Sequence, residues 1–134
     1  MEFHNQALDK QNILLETLGF EGLVALDCEG HILALNNQAK SLLPYDKIAH
    51  KKIHEALVFY SKEGQHPIHP NELSFYKTLE NGAVQRDMIY GITTEDNTFI
   101  WLSFSSKLIP DRPDIHMLIS IQDVSPLVNE NKKL

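Results

Sequence analysis

Seven histidines are many for 134 residues, and four of them fall close together in sequence. His50 and His54 stand four apart in His50-Lys51-Lys52-Ile53-His54, and His66 and His69 follow in His66-Pro67-Ile68-His69. Four neutral imidazoles are a donor set for zinc or another transition metal, and a helix would stack residues i and i+4 on one face. A metalloprotease would carry its glutamate base in His-Glu-x-x-His. This chain has lysines there, and they repel a cation, so the expectation is surface histidines without a metal. The single Cys28 lies between Asp27 and Glu29, whose negative charges disfavour the thiolate and oppose nucleophilic use. No glycine-rich phosphate loop follows a strand-like run, and no Ser/His/Asp set has a motif around it. A small stand-alone enzyme would need an acid or base on an inward sheet face. Alternation offers only Arg86 as a charged residue there, near a strand's start, so the chain is not expected to be an enzyme.

The elements that position these residues can be read from periodicity. Glu2–Leu18 reads as an amphipathic helix, with Phe3, Ala7, Leu14 and Leu18 on one stripe and Gly19 as its stop. Gly22–Leu26 and His31–Asn36 read as two strands around an Asp27-Cys28-Glu29-Gly30 turn. Asn37–Leu43 reads as a short helix closed by Pro44, and Ile48–Ser61 as a second with Ile53, Leu57 and Tyr60 on one side. Gly64–Pro70 is a loop, and Asn71–Leu79 a third helix ended by Asn81-Gly82. Val84–Thr94, Thr98–Ile109 and Ile115–Val124 alternate at period two, with a hairpin turn at Glu95-Asp96-Asn97. Ser125 then suits an N-cap and Pro126 a first helical residue.

A chain of 134 residues suits one domain with a core of its own. Its 43% hydrophobic and 22% charged residues are those of a globular protein. A net charge of −6 argues against direct binding to duplex DNA or an anionic membrane, since both demand a basic face. One cysteine excludes an internal disulfide and fits a reducing, cytoplasmic compartment. Met1-Glu2-Phe3-His4 is no signal-peptide start, and no apolar run is long enough to span a bilayer.

The order of elements and several local signatures resemble the PAS family of bacterial sensor modules. Asp27-Cys28-Glu29-Gly30-His31-Ile32 resembles the family's first hairpin, Asp-x-x-Gly-x-Ile, and Asn36-Asn37-Gln38-Ala39 its following Asn-x-x-Ala. Thr78-Leu79-Glu80-Asn81-Gly82 is similar to the Leu-x-x-Gly step into the third strand, and Trp101-Leu102-Ser103 to the fourth strand. Asp123-Val124-Ser125 resembles the closing Asp-Ile/Val-Thr/Ser, after which family members launch a signalling helix. The resemblance covers about Gly19 to Pro126. It implies an α+β fold: a five-stranded antiparallel sheet with short helices on one face, an N-terminal amphipathic helix (1–18), the PAS-like domain (19–125) and the start of an outgoing helix (126–134). It implies no cofactor. Flavin-binding relatives carry a reactive cysteine in an Asn-Cys-Arg-Phe run that is missing here. Haem-binding relatives place a histidine about eleven residues before the glycine matching Gly82, where this chain has Asn71, with His69 two residues away.

Alternation assigns Met88, Tyr90, Ile92, Ile100, Leu102, Phe104, Met117, Ile119 and Ile121 to the covered sheet face. They are the candidates to line a pocket for an unidentified apolar or aromatic small molecule, or else to fill the core, with the methionines as packing material. The opposite face holds Ile89, Trp101 and Leu118, too apolar for water. These and the helix stripe of Phe3, Leu14 and Leu18 would cover each other, within one chain or across a homodimer. The reading is a sensory and dimerisation module, the N-terminal input domain of a longer bacterial signalling protein. Asp123, Val124 and Ser125 would relay its state to an output such as a histidine kinase, a diguanylate cyclase or a transcription regulator. The alternatives are a structural dimerisation domain without ligand and a small enzyme in the sheet cavity.

Overall fold

Gly22–Leu26 (β1) and Ile32–Leu35 (β2) form the first antiparallel hairpin around the expected Asp-x-x-Gly turn. The computed structural model describes residues 21–62, 66–93, 98–111 and 113–128. The helix expected over residues 1–18 with Phe3, Leu14 and Leu18, the Glu95-Asp96-Asn97 turn and the chain after Val128 lie outside these. Asp27 closes the hairpin. One carboxylate oxygen accepts the amides of Glu29 at 2.9 Å and His31 at 2.8 Å, and the other lies 3.0 Å from His31 Nδ1. Burial works against this charge, but the two amides and the His31 ring outweigh it and hold the carboxyl below its usual 3.8. A carboxyl lowered by folding adds stability above its unfolded pKa and loses it as pH falls through the lowered value. Asp27→Asn should therefore flatten the loss of stability as pH falls below the ordinary carboxyl value of 3.8. Urea unfolding at a series of pH values measures this, and an unchanged acid slope in the variant would count the pair out.

The remaining strands are Tyr60–Ser61 (β3), Gln85–Thr93 (β4), Phe99–Leu108 (β5) and Met117–Asp123 (β6). They join the hairpin in one antiparallel sheet of order β2-β1-β6-β5-β4-β3. The five expected strands are present, and the two-residue β3 adds a sixth at the edge of β4. The helices are Asn37–Leu42 (α1), Tyr45–Ile48 (α2), Ile53–Ala56 (α3) and Ser74–Asn81 (α4), with a 3-10 turn over Pro70–Glu72. This is the α+β architecture that the element order implied.

Two expected helices differ. Ile48–Ser61 is not one helix but a turn over residues 49–51, then α3, then an extended stretch into β3. His50 takes a left-handed φ of 65°, which ends α2, and Lys52 is extended with a ψ of 135°. The chain there bonds to the hairpin instead: Ile32 N–H to Lys51 O at 2.9 Å and His50 N–H to Ile32 O at 3.0 Å. Ile53, Leu57 and Tyr60 fit helical spacing, but Leu57 and Phe59 equally fit alternation, and short apolar runs leave that ambiguity. Strand-type burial of Leu57 and Phe59 beside exposed Val58 wins here. In the other helix, α4 starts at Ser74 because Pro70-Asn71-Glu72 tightens into the 3-10 turn. Its end falls at Gly82 with a φ of 77°, a left-handed cap suited to glycine.

The helices cover one face of the sheet. Val24, Leu26, Leu102, Phe104, Ile119 and Ile121 meet Ile48, Ile53, Phe59, Leu73 and Phe75 in the main core. Alternation sends Leu23 and Ala25 to the other face, where they join Ala34 and Ile115 in a smaller cluster.

Candidate functional site

Tyr90, Ile92, Leu102, Phe104, Met117, Ile119 and Ile121 lie buried under the helices, and Ile100 packs half-buried at the margin. Met88 differs. It opposes Phe104 in the register yet is 38% exposed. A one-residue bulge between Gln85 and Met88, with Asp87 at a φ of 54°, bends the start of β4 away from the helical cover. The same bulge turns Arg86 from the covered face, where alternation put it, to an exposed position.

Four rings meet at the centre of this face. Phe59 lies edge-on to Phe75, Tyr90 and Phe104 with ring centroids 5.4, 6.0 and 5.6 Å away, and Tyr90 and Phe104 stand 5.5 Å apart. Such geometry adds about 0.5–1.5 kcal/mol per pair beyond the area buried. Sequence reading missed Phe59 and Phe75. The signal for Phe75 was the three-residue spacing to Thr78, which places both on the buried side of α4. Two polar contacts tie α4 to the sheet. Ser74 N–H donates to the Tyr90 hydroxyl at 2.8 Å, so the phenol serves the helix start, where Leu73 gives no side-chain cap. At the other end Thr78 Oγ1 donates to Ala83 O at 2.6 Å and lies 2.8 Å from Ser106 Oγ, which is left to donate. Ser74 Oγ is buried without a hydrogen-bond partner among the described residues.

A second set of contacts joins the sheet to the outgoing segment. Trp101 N–H donates to Ser125 Oγ and Val124 N–H donates to Trp101 O, both at 2.9 Å. Asp123 accepts the Ser125 amide at 2.9 Å, and Val128 N–H reaches Val124 O at 3.0 Å. The helical turn thus begins one residue earlier than expected. Val124 holds the cap position, Asp123 supplies the capping carboxylate, and the Ser125 hydroxyl grips β5 instead of capping. Trp101 itself is buried, while Ile89 and Leu118 on the same face are half-buried. Gly91 makes room beside it: a Cβ there would meet Phe99 Cζ at 2.3 Å and Trp101 Cζ3 at 3.0 Å. The Phe99 ring fills that gap, edge-on to Tyr60 and Trp101.

The four clustered histidines do not converge. His50 lies in the turn between α2 and α3, not above His54 on a helix. His54 Nδ1 bonds the Tyr76 hydroxyl, and its Nε2 is 3.8 Å from Glu55 Oε1. Burial pushes the Tyr76 phenol up, the bond to His54 opposes this, and the Glu55 charge adds to it. His66 Nδ1 sits 3.2 Å from Ser61 Oγ, and His69 Nδ1 accepts the Asn71 amide at 3.3 Å. Among the described residues no three His, Cys, Asp or Glu side chains gather as metal ligands. Cys28 is exposed in the hairpin turn. No helix among the described residues is long and apolar enough to cross a membrane.

No family model matches the chain, and no curated protein matches it in sequence. Solved structures do. The PAS domain of HTR-like protein from Haloarcula marismortui superposes with a TM-score of 0.57 at 13% identity, over 89% of this chain and 98% of that one. The PAS domain of nitrogen regulation protein NR(II) from Vibrio parahaemolyticus gives 0.57 at 16%, over 84% and 96%. The E. coli DhaR(N)–DhaL complex gives 0.54 at 18%, over 87% of this chain and 35% of that chain. The chain therefore has a PAS-like fold, at a sequence identity of 13–18% to these neighbours.

Proposed function

We propose that this chain is a sensory and dimerisation module of a signalling protein, in which the state of the sheet is passed to the helix after Asp123. The observation that carries this is the grip on Trp101: β5 holds Val124 through its carbonyl and Ser125 through its amide. A shift of β5 cannot leave the start of the outgoing helix unmoved while both bonds persist. A structural neighbour that is the PAS domain of a nitrogen regulation protein supports a regulatory setting. The output domain would be of histidine kinase, diguanylate cyclase or transcription-regulator type, and the compartment cytoplasmic. No catalytic role is assigned.

A ligand-responsive reading has one observation of its own in favour. Ser74 Oγ, at the start of α4 beside the Tyr90 phenol, is a buried hydroxyl without a partner among the described residues, and such a group costs about 1–3 kcal/mol unless something bonds to it. The contacts among Phe59, Phe75, Tyr90 and Phe104 favour a filled core, so a ligand there would be small and polar or would displace a ring. Neither haem nor flavin belongs to this proposal, since His69 is exposed and spends one ring nitrogen on Asn71, and Cys28 lies in the first hairpin.

Dimerisation would use the stripe of Phe3, Leu14 and Leu18 against the outer sheet face near Trp101 and Leu118. Replacing Leu14 and Leu18 with glutamate places charges in an apolar seam, costing several kcal/mol if both are buried. Light scattering should then show a dimer turning to a monomer. A wild-type monomer at high concentration would limit the module to relay alone.

A further inference from the structure

We propose that a groove on the outer face of the sheet, where Arg86 and Lys107 meet Ser105 and Ser120, binds a small organic carboxylate with an apolar body. The groove holds about 330 Å³, at the lower end of small-molecule sites. Leu23 and Val84 give it apolar walls, and Ser105, Ser120 and Gln85 give it hydrogen-bonding groups. Its lining has two cations against one carboxylate, Glu21, in a chain whose Asp and Glu outnumber Lys and Arg by 18 to 12. Neither Arg86 nor Lys107 has an ion-pair partner among the described residues, where the salt bridges involve only histidines.

The bulge explains how Arg86 comes to be there. From the pair Gln85–Ser106 to the pair Met88–Phe104, β4 uses three steps where β5 uses two. With regular alternation Arg86 would share a face with Met88 and Tyr90 and point toward the core. The extra residue re-aims it into the groove, as bulges beside functional sites do. Asp87 takes a left-handed φ of 54° to make the bulge, an uncommon conformation for a residue other than glycine, and its amide is held at 3.0 Å by the Ser105 hydroxyl. Guanidinium recognises a carboxylate through paired hydrogen bonds, and an ammonium nearby adds charge without fixing geometry. Val84, 53% exposed, supplies apolar surface for the rest of such a ligand to cover.

Titration calorimetry of the full chain tests this with benzoate and hexanoate against neutral benzamide and hexanol. The carboxylates should bind about tenfold or more tightly than their neutral counterparts, and weaken in roughly 0.5 M salt, as solvent-exposed charge contacts do. Arg86→Gln should lower carboxylate affinity about tenfold and Lys107→Gln several-fold. Both side chains are exposed, so the melting temperature of the free variants should stay at the wild-type value, which separates lost binding from lost folding. Equal binding of acids and neutral analogues would overturn the proposal, as would benzoate affinity unchanged in Arg86→Gln. Inorganic phosphate binding as tightly as benzoate would overturn the assigned ligand class. Carboxylates that fail to bind, with Arg86→Gln lowering self-association instead, would make the groove a seam between copies and overturn the small-ligand assignment.

Discussion

Replacing Phe104 with alanine should lower the stability of the folded chain by about 3–5 kcal/mol. The ring is 1% exposed and touches Phe59, Phe75 and Tyr90, so its removal costs its own burial, the edge-on contacts and a cavity that three aromatic neighbours cannot fill without leaving their rotamers. Leu102→Ala, one strand position from the Trp101 grip, should cost about 2–5 kcal/mol for the same reason. Urea unfolding of each variant measures the loss. A cost near the lower limit for both would mean that the rings border an existing void, and the core would then be a receptor cavity and not a filled one.

Asn36→Ala should cost about 2–4 kcal/mol, far more than a surface asparagine. Asn36 is 1% exposed and each half of its amide is used. Its oxygen accepts from Leu23 N–H and Ala39 N–H, both at 2.9 Å, and its nitrogen donates to Glu21 O at 2.9 Å. It caps α1 and at the same time ties that helix to the start of β1. Alanine removes the cap and strands the buried Leu23 amide. Asn36→Asp keeps the acceptor for Leu23 and Ala39 but replaces the donor to Glu21 O with a carboxyl oxygen. At about pH 4 and below, where the carboxyl is protonated, it should therefore recover part of the loss in the same unfolding measurement. Equal costs for the two variants would show that the contact to Glu21 O is the one that matters.

Of the five longer strands, β4, β5 and β6 were legible from alternation along the chain, and β1 and β2 from short apolar runs on either side of a turn. The ends of β1, set by Gly22 and Leu26, coincide with the apolar run, and those of β4, β5 and β6 differ by one or two residues. What was not legible depends on partners distant in sequence. Tyr60–Ser61 is a strand only because Gly91 and Tyr90 lie alongside. His50 leaves the helix because its amide is claimed by Ile32. Asn36 announced itself as part of a motif, but nothing local said that its side chain would serve β1 as well as α1. The pocket candidates were chosen by parity along each strand, and parity fails where a residue is inserted. The bulge before Met88 therefore moved Arg86 to the other face, while Met88 keeps the face of Tyr90 and Ile92 but lies beyond the helical cover. Ser125 was read as a cap from its type and position, whereas Asp123 supplies the cap and frees the serine hydroxyl for Trp101.

Coupling between sheet and outgoing helix is most directly measured by native-state hydrogen exchange at the Val128 amide, which bonds Val124 O. Leu102→Val loosens β5 beside Trp101 and leaves every residue from Val124 onward unchanged in sequence. The Leu43 amide, bonded to Ala39 O in α1, serves as the internal control. If the sheet drives the helix through Trp101, exchange at Val128 should quicken by about tenfold in the variant, and by clearly more than at Leu43. Protection at Val128 that stays at the wild-type level, or that changes only in step with Leu43, would contradict the relay.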